Sequence, residues 1–289
     1  MTIFITGATG FIGRHVLAAL LADGHHVIAL ARPGSDAKLP PHSHLRLVRG
    51  EMHEIAQGDL EGCGGLVHLA AHGVSHGMND WADCFRVNVQ DSIGLWRTAI
   101  DAGIHRMVVC GSCFEYGRSA ERHDFIPVTA ALEPTGAYHA SKAAATMAAL
   151  GLAVDKSIEV VVARPFHVFG EGEAPPRFWP GLRAAALAGN DFPMTSGEQI
   201  RDFVPVESVA ADFARLATKF PLQPGRPQVL NLGSGHPMSL RQFAETWWAR
   251  WGATGRLQVG AVPMRPNEVM RYVPLLEPLV DSSGLVGVN

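Results

Sequence analysis

Tyr138 and Lys142 lie four residues apart in the stretch TGAYHASKAAATMAAL, residues 135–150. The alanine-rich run after Ala140 predicts a helix that ends near Gly151, and residues four apart on a helix share a face. An ammonium group beside a phenol lowers the pKa of the phenol toward neutrality, which suits proton exchange with an alcohol or ketone. The spacing therefore predicts a proton-transfer site. The alternative is a tyrosine at the start of a surface helix with an unrelated lysine nearby.

The glycine-rich segment TGATGFIGRHV directly follows the first predicted strand, TIFIT. Gly7, Gly10 and Gly13 fall in the turn between that strand and an amphipathic helix. Glycines there let the backbone approach a pyrophosphate, whose charge is met by amides at the helix N-terminus. Gly13 also permits close packing of the helix on the sheet. The context predicts a dinucleotide site rather than merely a tight turn.

The end of the second predicted strand, VIALARPGS, bears on the choice of dinucleotide. Ala31 stands about where an acid would bind the adenosine ribose, and Arg32 follows. A guanidinium at this position suits a 2′-phosphate, so NADP(H) is favoured as the cofactor and NAD(H) stays possible. Alternatively, the Arg32 side chain stacks on the adenine or points to water. Glu51 and Met52, after the third strand, are expected near the adenine, although Glu51 is equally readable as an ordinary loop carboxylate.

Short apolar runs alternate with longer amphipathic ones from the N-terminus to about residue 165. Strands that are apolar on both faces and separated by helices predict an α/β fold, a Rossmann-type doubly wound parallel sheet. Residues 171–200 are rich in Pro, Gly and aromatics. We expect a dinucleotide-binding domain over 1–170, to which 201–235 return, and a smaller substrate-binding lobe from 171–200 and 236–289.

The composition narrows the class of protein. Of 289 residues, 47% are apolar and 18% charged, which is typical of a well-buried globular enzyme. The net charge of −3, without a basic run, argues against nucleic acid and membrane partners, and the glycine-broken N-terminus argues against a signal peptide or membrane span. The four cysteines lack metal-ligand spacing, which predicts a reduced, cytoplasmic protein. His72 and His76 lie among glycines, and we expect no metal.

Several further motifs occur in order along nearly the whole chain. After TGATGFIG come HLAA at 68–71, NV at 88–89, GSCFEYG at 111–117 and YHASK at 138–142. RPFHVFG, GEQIRDFVPVESVA and NLGSG follow. With these motifs the chain resembles an extended short-chain dehydrogenase/reductase of the nucleotide-sugar epimerase/dehydratase family. Several ordered motifs together are far more specific than any one of them.

The resemblance assigns roles to residues of the two predicted sites. It makes Tyr138 the catalytic acid/base, Lys142 the group that lowers its pKa and binds the nicotinamide ribose, and Ser112 the donor to the substrate oxygen. The expected cofactor-binding set also includes the glycine loop, the end of the fourth strand and the RPFHVFG segment: Gly7, Thr9, Gly10, Phe11, Ile12, Gly13, Leu69, Ala70, Ala71, Asn88, Pro165, His167 and Val168.

For the substrate, the resemblance implies a nucleotide-diphosphate sugar. Arg201 and Arg265 match the arginines with which members of the family bind the diphosphate. Alternatively, either arginine is a surface residue or forms a structural ion pair with Asp202 or Glu268. Ser112, Cys113, Phe114 and His167 complete the expected substrate contacts. His167 stands where the family often has asparagine, so the contact there is open.

The motif after Ser112 narrows the reaction. Family dehydratases carry an Asp-Glu pair there, whereas this chain has Cys113 and Phe114, which argues against a dehydratase; Glu115 follows, in an unknown direction. The favoured function is an NADPH-dependent 4-keto-sugar reductase. The alternatives are a nucleotide-sugar 4-epimerase with retained NAD, a reductase of a non-nucleotide carbonyl, and a non-catalytic dinucleotide-binding sensor or scaffold.

The resemblance also implies a homodimer. Family members often pair through two helices, here represented by about residues 81–102 and 137–154, and the alanine-rich run AAATMAAL would allow close packing. The same run would equally well pack on the sheet. The sequence after RPNEVMR is short for the family, so we expect a small substrate lobe.

Overall fold

The computed structural model describes residues 1–35, 39–74, 80–175, 177–265, 268–277, 279–280 and 286–287. The strands are β1 (Thr2–Thr6), β2 (His26–Ala31), β3 (Leu45–Arg49), β4 (Gly65–His68), β5 (Arg106–Cys110), β6 (Glu159–Pro165), β7 (His167–Phe169), β8 (Phe192–Met194), β9 (Ile200–Pro205), β10 (Gln228–Leu232), β11 (Pro237–Ser239), β12 (Leu257–Val259), β13 (Arg271–Tyr272), β14 (Leu279–Val280) and β15 (Val286–Gly287). The α-helices are α1 (Phe11–Ala22), α2 (Trp81–Phe85), α3 (Ser92–Asp101), α4 (Ala137–Lys156), α5 (Phe178–Ala188), α6 (Val206–Thr218) and α7 (Leu240–Arg250). A π-helical turn, Arg86–Asp91, joins α2 to α3, and short 3₁₀ turns cover Met52–Glu54, Gln57–Leu60, Cys113–Glu115 and Arg118–Arg122.

Seven parallel strands form the main sheet in the order β10-β6-β5-β4-β1-β2-β3. Both faces are buried: Ile3 and Ile5 pack under α1 and α6, and Phe4 packs on the other face under α3 and α4. Strand order reverses between β1 and β4, which opens a crevice at the carboxyl ends of those strands. The predicted doubly wound Rossmann-type sheet is confirmed.

The helix that carries Tyr138 is longer than the sequence suggested. It continues through Gly151 to Lys156 and ends where Ser157 adopts a left-handed conformation with φ of 50°. The predicted end at Gly151 is wrong because Ala149 and Ala153, on the same face, are fully buried against the sheet. That burial outweighs the roughly 1 kcal/mol by which glycine disfavours a helix interior.

A second group of strands lies beyond the main sheet. β9 pairs with β7, β11 and β13, while β8 pairs with β12 and β14 with β15. After β9 the chain returns to the main sheet, where α6 packs on α1 and β10 extends the sheet beside β6. Aromatic side chains between α5 and α7 fill a separate core around Leu182 and Trp248. The expected boundaries of the two lobes stay a prediction.

No helix in the described ranges is long and apolar enough to cross a membrane. The four cysteines, Cys63, Cys84, Cys110 and Cys113, are free thiols. Within those same ranges, no three His, Cys, Asp or Glu side chains are grouped so as to hold a metal ion. His76, noted above with His72, lies outside the described residues.

Candidate active site

The glycine turn after β1 forms a tight cradle. Gly7 has φ of +74°, and a Cβ on it would lie 2.7 Å from the amide nitrogen of Ala70 at the end of β4. A Cβ on Gly13 would lie 2.0 Å from the carbonyl oxygen of Gly7. Gly10, at the N-cap of α1, has no side chain to cover the first amides of the helix. The cradle therefore fits a pyrophosphate, whose oxygens bind backbone amides at a helix N-terminus.

The neighbouring cofactor residues line the same edge of the sheet. Thr9, Phe11 and Ile12 are half-buried in the turn, and Leu69, Ala70 and Ala71 are half-buried at the end of β4. The amides of Leu69 and Ala70 donate to the carbonyl and hydroxyl oxygens of Thr6 at 3.2 Å each. Pro165, the last residue of β6, is buried, and Val168 on β7 is half-buried. The structure therefore gathers these predicted contacts along one edge.

Asn88 is different, because its side chain is engaged by protein groups. It lies buried on the π-helical turn, accepts from the His72 amide at 2.7 Å and donates to the His72 carbonyl at 3.0 Å. Its amide also donates to the Ser141 hydroxyl at 2.9 Å, next to Lys142. Asn88 thus ties the segment after β4 to α4, and its predicted contact with the cofactor stays a prediction.

The residues expected at the adenine end of the cofactor differ in their exposure to solvent. Arg32 is exposed at the end of β2, directly after the buried Ala31. Glu51 is exposed, and its amide donates to the Glu54 carboxylate at 2.7 Å. Met52 is only 7% exposed and packs in the core against α3. Its side chain also lines an open groove of about 310 Å³ between the Met52–Glu54 turn and α3.

Ser112, Tyr138 and Lys142 meet at the carboxyl end of β5. Ser112 follows that strand, and Tyr138 and Lys142 occupy the first two turns of α4. The Tyr138 phenol lies near the Ser112 side chain. The buried ammonium of Lys142 donates to the carbonyl oxygen of Cys110 at 2.6 Å. The structure therefore brings together the three residues that the sequence placed in one catalytic group.

The protonation of Tyr138 differs from the expectation. Burial raises the pKa of the phenol above its ordinary value, whereas the neighbouring Ser112 side chain acts in the opposite direction. Desolvation of the phenolate outweighs the attraction that was expected from Lys142, whose ammonium group faces the Cys110 carbonyl. The predicted lowering of the pKa of Tyr138 is therefore wrong for this arrangement. The phenol is held in its protonated form.

Aromatic rings surround the outer side of this group. Phe114 stacks on His139 with ring centroids 4.9 Å apart and meets His167 and Tyr272 edge-on at 5.8 and 5.7 Å. Burial lowers the pKa of His167 well below its usual range, and Arg201 adds to that effect. Among the described residues, Nδ1 of His167 has no hydrogen-bond partner. The imidazole is thus neutral and offers a free ring nitrogen beside the catalytic group.

Sequence reasoning missed three residues of this region. His139 and Tyr272 form part of the aromatic wall, and Arg177, before α5, donates to the carbonyl oxygen of Val74 at 2.8 Å. The position of His139 directly after Tyr138 was an available signal. Arg177 and Tyr272 come from distant segments, so their proximity to the site depends on the tertiary fold.

The two predicted diphosphate arginines have different surroundings. Arg201 is largely buried, and its guanidinium donates to Glu268 at 2.6 Å and lies 5.7 Å from the centre of the Tyr272 ring. Burial lowers the pKa of Arg201, and Glu268 opposes that effect. Arg265 is exposed, and its carbonyl oxygen accepts the amide of Glu268 at 3.3 Å. The partner of Arg201 is thus Glu268, one of the two alternatives raised by the sequence, and the diphosphate role stays a prediction.

The two positions that carry an Asp-Glu pair in the family's dehydratases hold residues that do not transfer protons near neutral pH in this chain. Burial raises the pKa of the Cys113 thiol to about 12, so it stays protonated. Phe114 has no titratable group. Glu115 is fully buried and turned inward, where its carboxylate pairs with Arg164 at 2.9 Å. The direction of Glu115, which strand alternation left open, is therefore away from the substrate side.

The parallel sheet, the glycine cradle and the Ser112–Tyr138–Lys142 group together define an extended short-chain dehydrogenase/reductase. The sequence model of the NAD dependent epimerase/dehydratase family matches residues 3–233, and the chain belongs to that family. The resemblance found in the motifs is thereby confirmed.

Relatives of known activity span most of the chain. It is 25% identical over 265 residues to a UDP-glucose 4-epimerase from Corynebacterium glutamicum, with 85% of this chain and 79% of the relative covered. It is 26% identical over 284 residues to a dTDP-6-deoxy-L-talose 4-dehydrogenase (NAD(+)) from Aggregatibacter actinomycetemcomitans, covering 93% and 98%. The solved structure of MoeE5 in complex with UDP-glucuronic acid and NAD superposes with a TM-score of 0.83 at 28% identity, covering 96% and 90%.

Proposed function

We propose that this protein is an NADPH-dependent reductase of a 4-keto nucleotide-diphosphate sugar. The observation that carries the proposal is the Ser112–Tyr138 pair beside the glycine cradle, followed by residues that cannot act as a dehydratase pair. Similarity to a 4-dehydrogenase of a dTDP-6-deoxysugar supports net redox chemistry at that carbon, because dehydrogenation is the reverse of keto reduction.

The protein groups divide the work of carbonyl reduction. Ser112 donates a hydrogen bond to the sugar oxygen, and Tyr138 delivers the proton that turns the ketone into an alcohol. The raised pKa of Tyr138 keeps the phenol protonated and suits this donor role. Lys142 holds the nicotinamide ribose. The bound dinucleotide supplies the hydride to the carbonyl carbon.

One part of the cofactor site binds NAD and NADP alike, and another part distinguishes between them. The glycine cradle binds the pyrophosphate through backbone amides, which suits NAD and NADP equally. The exposed Arg32 at the end of β2 pairs with a 2′-phosphate and gives the preference for NADPH.

Substrate recognition rests on the lobe beyond β6. Arg201 binds the diphosphate after exchanging its contact with Glu268, and Arg265, on the segment that carries Glu268, joins it. The rings of Phe114 and Tyr272 pack against the C–H faces of the sugar. Nδ1 of His167 hydrogen-bonds a sugar hydroxyl.

A 4-epimerase is the second candidate, supported by the similarity to a UDP-glucose 4-epimerase over 85% of the chain. An epimerase would use the same Ser112, Tyr138 and Lys142, first to oxidise and then to re-reduce the sugar. It would retain one NAD through each cycle and consume no external cofactor.

The identity of the bound dinucleotide and the reaction that is catalysed distinguish the reductase from the epimerase. The first measurement is mass spectrometry of any dinucleotide released on denaturing the purified protein, followed by assays of NADPH oxidation with 4-keto nucleotide sugars. The proposal expects NADP, or an empty site that binds NADPH more tightly than NADH, and turnover that Tyr138→Phe lowers by about 10²–10⁴-fold. Stoichiometric NAD with interconversion of C4 epimers would establish the epimerase. Turnover of simple carbonyls alone would remove the nucleotide-sugar assignment.

We also propose a homodimer in a reducing, cytoplasmic setting. Met147 and Val154 are 61% and 60% exposed on the outer face of α4. Trp81 and Phe85 stack on each other on α2, which packs beside α4, and remain exposed. Exposed apolar side chains on two neighbouring helices are typical of a protein contact surface, and the implied occupant is a second copy of the chain.

A further inference from the structure

A salt bridge between Glu115 and Arg164 lies in the interior directly behind the catalytic group. Glu115 ends the 3₁₀ turn that follows β5, and Arg164 is near the end of β6. The side chains are 0% and 3% exposed, with 2.9 Å between Oε2 and Nε. Removing two charges from water costs several kcal/mol for each ion, so such a pair is weak support for stability alone. Stability alone therefore does not account for the pair.

The carboxylate of Glu115 contacts both halves of the catalytic group. Its Oε1 accepts the backbone amide of Ser112 at 2.8 Å. Its Oε2 accepts the hydroxyl of Thr146 at 2.9 Å. Thr146 lies one turn after Lys142 on α4, on the helix that also carries Tyr138. One buried side chain therefore fixes the serine turn relative to the tyrosine–lysine helix.

Arg164 is itself held by a second layer of contacts. Its Nη1 donates to the Tyr116 hydroxyl at 2.9 Å, and that hydroxyl donates to Asn231 on β10 at 2.7 Å. Arg164 also lies over the Tyr116 ring, 4.7 Å from its centre. These contacts leave the Glu115 carboxylate little freedom to move, since both its ion-pair partner and its hydrogen-bond partners are buried.

We propose that Glu115 is a positioning residue for Ser112. By holding the Ser112 amide and Thr146 at once, it sets the distance across which Ser112 and Tyr138 share the substrate oxygen. It touches neither the substrate nor the cofactor. The inference rests on the proposed reductase function and deepens it, because misplacement of a catalytic hydrogen bond by about 1 Å costs on the order of 100-fold in rate.

A double-mutant cycle tests the coupling between Glu115 and Ser112. Glu115→Gln is expected to lower kcat about 10- to 100-fold and to leave the dissociation constant of NADPH within about threefold. In the Ser112→Ala background the same change is expected to lower kcat by less than about threefold, because the group that it positions is gone. Equal losses in both backgrounds would overturn the proposal.

The chain offers a control in a second Glu–Arg pair, which joins β5 to β6. Arg106 and Glu159 pair at 2.8 Å at the opposite, amino ends of β5 and β6. Glu159→Gln breaks an ion pair away from the site, between side chains that are 18% and 24% exposed. It is expected to leave kcat unchanged, and a loss as large as that of Glu115→Gln would assign the effect to general destabilisation.

A second readout needs no substrate. The chain has only three tyrosines, so ζ-¹³C-tyrosine labelling gives three NMR signals that single Tyr→Phe variants assign. Ser112→Ala and Glu115→Gln are each expected to shift the Tyr138 signal, and the double variant is expected to match Ser112→Ala alone. An unmoved signal in Glu115→Gln would overturn the positioning role. If no nucleotide sugar is turned over, the reductase assignment fails while this spectrum still decides the coupling.

Glu115→Gln leaves Arg164 buried without its ion and so risks misfolding. The pair Glu115→Leu with Arg164→Met removes both charges, a change that folded proteins often tolerate. This variant is expected to be folded, with the lowered kcat and the shifted Tyr138 signal of Glu115→Gln. A folded variant with wild-type kcat would refute the proposal.

Discussion

In the proposed reductase, the proton on Tyr138 is the one that keto reduction consumes. Burial holds the pKa of the phenol above its usual value, so the acid form persists throughout the neutral range. We therefore expect kcat for keto reduction to vary by less than about twofold between pH 7 and 9, because the donor stays protonated below about pH 10. Initial rates of NADPH oxidation across that range measure this. A fall in kcat centred near pH 7 would show that the pKa of the phenol is lowered instead.

Arg32 determines the choice of dinucleotide in the proposed function. It is exposed at the end of β2, and the preceding Ala31 is buried and supplies no carboxylate for a ribose. Arg32→Ala is expected to weaken NADPH binding at least about tenfold, the loss of one charge-assisted contact, and NADH binding by less than about threefold. Fluorescence titration of both dinucleotides measures this. Equal losses for both would place Arg32 against the adenine ring rather than the phosphate.

At the scale of elements, the approach of α1 to the β1 turn is the tightest feature of the cofactor site. A Cβ on Gly13 would meet the Gly7 carbonyl at 2.0 Å and the Ala8 Cα at 3.0 Å, and both are backbone atoms. Gly13→Ala must therefore push α1 away from the turn. We expect a loss of about 1–3 kcal/mol of stability, typical of overpacking, and at least tenfold weaker dinucleotide binding. Chemical denaturation and fluorescence titration measure the two effects.

Gly58→Ala is the matched control for that change, since no atom lies within 4 Å of the added Cβ. It is expected to alter neither stability nor binding. A Gly13→Ala protein with wild-type affinity for the dinucleotide would show that the cradle is not the pyrophosphate site.

Helix α6 carries a charge that opposes folding at neutral pH. Burial raises the pKa of Asp212 from 3.8 to about 6, and Arg215 only partly offsets this. Because the folded state binds the proton more tightly, the cost is absent below pH 3.8, grows toward pH 6 and is complete above it. Asp212→Asn is thus expected to raise the unfolding free energy by about 2 kcal/mol at pH 7.5 and hardly at pH 4.

Urea denaturation at the two pH values checks the Asp212 prediction. Asp155→Asn, at a side chain that is 66% exposed, is the control and should change stability little at either pH. A gain from Asp212→Asn that is the same at pH 4 and pH 7.5 would contradict the charge argument.

Across the whole molecule, the features that follow from the order of strands and helices along the chain were predictable from the sequence. Gly7 and Ser112 sit at strand ends, and strands of a parallel sheet bring such ends to one edge, so their grouping with Tyr138 followed from the pattern. The inward direction of Glu115 was not predictable, because a 3₁₀ turn at Cys113–Glu115 replaces strand alternation. The pairing of Arg201 with Glu268 joins residues 67 positions apart and depends on how β13 docks on β9.

The outer face of α2 and α4 exposes apolar side chains that fit a contact with a second copy of the chain. Met147 and Val154, both about 60% exposed, lie seven residues apart on one side of α4. Burying them between two copies would stabilise the dimer, whereas a carboxylate at each position would be desolvated and repelled there. We expect Met147→Glu with Val154→Glu to be monomeric at micromolar concentration in analytical ultracentrifugation, with unchanged affinity for the dinucleotide.

Leu187 gives a matched control for the dimer, since it is an apolar side chain that is 60% exposed on α5. Leu187→Glu is expected to stay dimeric, because the proposed contact involves α2 and α4 only. A monomeric wild-type protein would refute the homodimer outright. Dissociation caused by Leu187→Glu, but not by the α4 variant, would move the contact to the substrate lobe, where it would adjoin α5 and the substrate side of the cleft.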